Sequence, residues 1–87
     1  MYPTLTRAEA NAWRHLHRQL AKTRTLQDAK KVAAQAPPPH AKRFYEHLRS
    51  FVRTLRPPRH GTRSELYVYR KLRLRFAPTR RQQAAGR

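Results

Sequence analysis

Apolar positions along this 87-residue chain fall into three blocks separated by prolines. In the first, Trp13, Leu16 and Leu20 recur at helical spacing and form one stripe, with Arg7, Arg14 and Arg18 on another face. A weaker stripe follows through Leu26, Ala29, Val32, Ala33 and Ala36, until Pro37, Pro38 and Pro39 stop it. In the second block Phe44, Leu48, Phe51 and Leu55 stand at i, i+4, i+7 and i+11, with Tyr45 and Val52 widening the stripe. Lys42, Arg43, Arg49, Arg53 and Arg56 cover its flanks before Pro57 and Pro58 close it. These periods predict a hairpin of two to three short helices across residues 1–56, with Phe44, Leu48 and Phe51 as core against Trp13, Leu16 and Leu20.

The third block carries two conflicting signals. Leu66, Val68, Leu72, Leu74 and Phe76 alternate with Tyr67, Tyr69, Lys71, Arg73 and Arg75, a period of two rich in strand formers. Thr62 and Glu65, however, have the spacing of a helix capping box. The same spacing occurs at Thr6 and Glu9, and with a shorter acid at Thr25 and Asp28. The expected fold is therefore mainly α: a hairpin, then a basic loop and a C-terminal helix or extended segment with a basic tail over residues 57–87.

Charge changes the picture. The chain holds 21 Lys and Arg against 4 Asp and Glu, a formal net charge of +17. Three of the four acids fall in the first turn of a proposed helix, where the macrodipole favours a negative charge. Glu46 sits mid-helix and can pair with Lys42 or Arg49. The acids thus look structural and the surface is left almost wholly positive. A domain of this length buries only about 60–65% of its unfolded surface. So many uncompensated charges repel in the compact state, which points to an external polyanion. Arginine outnumbers lysine sixteen to five. A guanidinium contacts phosphate bidentately and stacks on bases, although a GC-rich coding sequence gives the same ratio.

Other chemistry finds little support. With no cysteine there is no disulfide framework, zinc–thiolate site or thiol nucleophile. No apolar run reaches membrane-spanning length. Acids spent on separate helix caps do not pair for acid–base work or hold two metals. His15 and His17 point apart on a helix, no His-Glu-x-x-His pattern occurs, and two glycines make no phosphate loop. The expectation is a non-enzyme with no cofactor, no metal and no small-molecule substrate.

Nucleic-acid binding fits better. Arg14 and Arg18, and Arg49, Arg53 and Arg56, stand in rows that can follow a phosphate strand. Arg59 and Arg63 flank a short, stiff, basic loop. Tyr67 and Tyr69 lie among Arg70, Arg73 and Arg75, the ingredients of base stacking beside phosphate contact, although core packing explains the tyrosines equally well. Arg80, Arg81 and Arg87 would anchor the tail. No helix-turn-helix glycine turn, zinc finger, leucine zipper or RNA-recognition sheet is present. Charge spread over the whole chain suits a protein touching RNA from several sides.

In its short helices, basic flanks, extended ends and Pro-Pro breaks the chain resembles small basic ribosomal proteins, especially accessory subunits of mitochondrial ribosomes. That resemblance implies a structural role, neutralising and positioning rRNA beside neighbouring ribosomal proteins, in the mitochondrion or otherwise the cytoplasm. Val68-Tyr69-Arg70-Lys71-Leu72-Arg73 with Phe76 also resembles the Leu-Tyr-Arg motif of mitochondrial assembly subunits, with Val in place of Leu and a C-terminal position. The first helix is Arg-rich and acid-poor as mitochondrial presequences are, yet Glu9 as cap and Trp13 as core predict a retained helix. A DNA-binding protein of nucleoid or phage type and a helical adaptor subunit are the other readings.

Overall fold

Three Thr-x-x-acid pairs each begin a helix. In the computed structural model, which describes residues 4–76, Thr6 Oγ1 accepts the Glu9 N–H at 3.1 Å while Glu9 Oε1 accepts the Thr6 N–H at 3.0 Å. Helix α1 then runs Arg7–Ala21. Thr25 Oγ1 accepts the Asp28 N–H at 3.2 Å and starts α2, Leu26–Ala33. At Thr62 and Glu65 both reciprocal bonds measure 3.1 Å and open α4, Arg63–Phe76. Only α3, Lys42–Thr54, lacks a side-chain cap. It follows a turn in which the Ala41 N–H reaches the Pro38 carbonyl. The described residues are mainly helical and contain no strand.

The ends of the helices have equally local causes. Helix α2 stops at Ala33, so Ala36 lies beyond it. A residue ahead of proline is disfavoured in the α conformation, and Arg49 from α3 takes up the freed carbonyls, donating Nε to Ala33 O at 2.9 Å and Nη2 to Gln35 O at 3.3 Å. Helix α3 ends at Thr54, and its C-cap Leu55 turns left-handed at φ 57°, two residues before the Pro57-Pro58 pair. Arg75 ties α4 to the α1–α2 turn, donating Nη1 to Thr23 O at 2.6 Å.

One apolar core joins the helices. Trp13, Leu16 and Leu20 of α1 meet Phe44, Tyr45, Leu48 and Phe51 of α3, as their spacing predicts, with Ala33 of α2 and Ala41 alongside. Val68, Tyr69 and Leu72 of α4 belong to the same cluster. The Tyr69 ring lies 4.9 Å from Phe51 and 6.3 Å from Trp13 between centroids, both tilted, and Trp13 lies 5.4 Å from Phe44. Such pairs add roughly 0.5–1.5 kcal/mol each beyond the area they bury. The expected division at residue 56 is therefore corrected: it cuts through a continuous core, and α4 is part of the folded unit.

The helix signal in the third block wins for the same reason. Glu65, Val68, Tyr69 and Leu72 are buried at i, i+3, i+4 and i+7, with Phe76 partly buried at i+11. Leu74, at the alternate position a strand would have buried, is 78% exposed. No helix among the described residues is long and apolar enough to cross a membrane.

Candidate nucleic-acid interface

The polarity of the surface follows from how the acids are used. Glu65 is fully buried, Glu9 and Asp28 are half-buried in their caps, and Glu46 alone is exposed. Every Lys and Arg between residues 4 and 76 is exposed except Arg43, which is half-buried. Arg43 lies with its guanidinium carbon 5.3 Å from the Phe44 ring centre and Nη2 3.9 Å from Glu9 Oε2. Hydrogen bonds from the Thr6 backbone and hydroxyl, helped by the charge of Arg43, hold the Glu9 carboxyl below its ordinary value. The Arg24 backbone and then the Thr25 hydroxyl do the same for Asp28. Both acids are thereby fixed as anions that serve the fold.

On α1, Arg14 and Arg18 are exposed on one face with His15, whose Nε2 lies 3.3 Å from Gln19 Nε2. Between α2 and α3 an open groove of about 460 Å³ is lined by Lys30, Arg49 and Arg53 over Ala33, Ala34 and Val52. The small alanines let the two helices approach and leave the cations at the lip. Arg49 has a double part, since it also bonds the end of α2. Arg56 and Arg59 are exposed on the loop between α3 and α4. The far side of that loop is packed inward: Gly61 and Thr62 are buried, and a Cβ at Gly61 would meet Glu65 Oε2 and Pro58 Cγ at 3.4 Å. Only its outer half faces solvent.

Helix α4 separates the two tyrosines. Tyr67 is 58% exposed, with Lys71 Nζ 4.7 Å from its ring centre. Tyr69 is 0% exposed, and its hydroxyl makes a long 3.5 Å bond to Phe44 O. Burial, with the charge of Glu65 adding, pushes the Tyr69 phenol far above its usual range. The expectation that Tyr69 contacts RNA is therefore corrected: a ring enclosed by Phe51 and Trp13 has no face left for a base. Arg63, Arg70, Arg73 and Arg75 are exposed on α4, Arg75 spending one donor on Thr23 O. Arg80, Arg81 and Arg87 lie outside the described residues.

The sequence rows thus resolve into cationic faces on separate helices. Two contributors were not singled out from the sequence: Lys30 in the α2–α3 groove and His17, which lines a cavity with Tyr67 and Lys71. Lys71 stands at i+4 from Tyr67, a neighbour relation that a helical reading of the third block makes visible and a strand reading hides. Among the described residues no three of His, Asp and Glu come together as a metal site. No family model matches the chain, and neither curated proteins nor solved structures offer a similar one.

Proposed function

We propose that this chain is a non-catalytic RNA-binding protein that neutralises and positions RNA inside a large ribonucleoprotein, as a small subunit of a mitochondrial ribosome would. The observation that carries this reading is the segregation of charge. Three of the four acids are spent on caps and on a buried pair, leaving Glu46 alone exposed, while cations project from all four helices and from the loop after α3. A helical adaptor has no need of so lopsided a surface, because protein partners of ordinary composition leave most of these guanidinium groups unmatched. Phosphates every few ångströms along a folded RNA match them from several directions.

Arg14, Arg18, Lys30, Arg53, Arg56, Arg59, Arg70 and Arg73 are the proposed phosphate contacts, with Arg49 and Arg75 sharing that part with their structural bonds. Duplex and hairpin RNAs titrated with the chain should lose roughly tenfold or more in affinity between about 50 and 200 mM salt. A flat response would remove the reading. Duplex DNA of the same length, measured in parallel, tests the nucleoid alternative. Preference for DNA would favour it. Co-sedimentation of the endogenous protein with a mitochondrial ribosomal subunit, abolished by nuclease, tests the setting.

A further inference from the structure

Between the end of α1 and the C-terminal half of α4 the surface opens into a cavity of about 170 Å³ lined by His17, Leu20, Tyr67, Val68, Lys71, Leu72 and Arg75 with Ala21. Leu20, Val68 and Leu72 are buried core residues and give it an apolar floor. Two aromatic rings stand beside that floor. His17 is half-buried and lies nearly parallel to Trp13, 5.7 Å between centroids at 18°, so its position is set from below. Tyr67 is exposed and steadied by Lys71. Arg75 is tied down by Thr23 O, yet a guanidinium has five N–H donors, and one bond to a carbonyl leaves donors for an anion. Among the described residues no acid lines the cavity.

Size narrows the occupant. Sites for drug-sized ligands hold ~300–1,000 Å³, whereas an apolar cavity of about 150 Å³ takes one benzene ring. This cavity therefore suits one planar ring, not a long cofactor or a partner's helix. Charge narrows it further. An apolar protein side chain entering here would leave two cations beside it without a counter-charge, at a desolvation cost. A planar ring that brings its own anions avoids that cost. A base inside a duplex is covered on both faces by its neighbours, so only an unpaired base has a face to offer.

We infer that the cavity between α1 and α4 receives one unpaired RNA base, stacked on Tyr67, with its flanking phosphates on Lys71 and Arg75. The inference rests on the RNA-binding reading and adds to it a substrate preference: bulged or single-stranded nucleotides over continuous duplex.

The test uses the full chain and two RNA hairpins of equal length, one fully paired and one with a single bulged 2-aminopurine. The bulged hairpin should bind more tightly by roughly five- to hundredfold, the span expected for one stacked base, and its fluorescence should be quenched. Tyr67→Ala should abolish both effects while leaving affinity and salt dependence on the paired hairpin unchanged. Tyr67→Phe should retain both. Equal binding of the two hairpins without quenching, or a bulge preference that survives Tyr67→Ala, overturns the cavity proposal and leaves phosphate binding standing. Salt-independent or negligible binding of both hairpins overturns the RNA reading itself, and the cavity proposal with it.

Discussion

His47 Nδ1 on α3 lies 2.7 Å from Glu65 Oε2 on α4. The same carboxyl accepts the Thr62 N–H through its other oxygen, so one fully buried acid both starts a helix and fastens it to its neighbour. Its distance from the solvent makes the partner matter. A buried carboxylate that loses its partner costs roughly 3–5 kcal/mol, while replacing both groups by apolar ones is often neutral. His47→Ala should therefore lower unfolding stability by about 3 kcal/mol in urea titration. His47→Leu combined with Glu65→Leu should cost much less than the two single substitutions added together, apart from the lost cap. Additive effects would show that the pair is not coupled.

Tyr67 and Tyr69 offer a contrast two residues apart. Tyr69→Ala empties a site walled by Phe51 and Trp13 and should cost about 3–5 kcal/mol, a large share of a domain stability of order 5–15 kcal/mol. Tyr67→Ala removes an exposed ring and should stay within ~0.5 kcal/mol. Thermal melts of the two variants decide this, and a destabilised Tyr67→Ala would mean that α4 packs with its other face inward.

The two tyrosines also show what was and was not legible in the sequence. Stripes with one residue type in view, such as Phe44, Leu48 and Phe51, gave their helix and its partners directly, and the Thr-x-x-acid spacing located three helix starts. The inward face of α4 begins with Glu65 and contains Tyr69, so half of it is written in residues that hydropathy assigns to the surface. Its apolar residues meanwhile fall by accident on alternate positions. What removed the ambiguity is tertiary: His47, eighteen residues earlier in the chain, makes burial of Glu65 tolerable, and no spacing rule reports such a partner. The indole N–H of Trp13 bonding Ser64 Oγ at 2.8 Å is a second long-range tie of this kind. The cationic residues were legible one by one, but the groove and cavity they line depend on which helices lie side by side.

The capped acids contribute to the low-pH limb of stability. Folding holds Glu9 and Asp28 below ordinary values of 4.5 and 3.8, so on acidification the unfolded chain takes up protons before the folded one does. Their contribution is complete above those ordinary values and is lost as pH falls through the lower, folded values. Thr6→Ala and Thr25→Ala should shift the two carboxyl midpoints upward in an NMR titration and flatten that limb. Unmoved midpoints would show that the hydroxyls do not hold these acids.

Among the described residues two non-glycine positions have left-handed backbones, His40 at φ 66° and Leu55 at φ 57°. That conformation costs a side-chain-bearing residue roughly 1–2 kcal/mol relative to its right-handed form. His40 is exposed, so His40→Gly should stabilise by about 0.5–1 kcal/mol, the greater freedom of glycine in the unfolded chain offsetting part of the relief. Leu55 packs against the core, so Leu55→Gly should give a net loss. The signs, read from urea midpoints, are opposite for the same backbone change. A gain at both positions would place Leu55 outside the core.

Arg49 and Arg53 stand one helical turn apart at the same groove and differ in what else they hold. Arg53→Ala should leave stability within ~0.5 kcal/mol and reduce the salt slope of RNA binding by about one unit, as the loss of a single phosphate contact does. Arg49→Ala removes two bonds to the end of α2 as well and should cost on the order of 1–2 kcal/mol of stability. Arg49→Lys keeps the charge but not the fork that reaches both carbonyls, so it should restore the salt slope without restoring the melting temperature. If Arg49→Lys restored both, the tie between α2 and α3 would be one of charge alone, and if it restored neither, Arg49 would contribute to RNA only by holding the groove in shape.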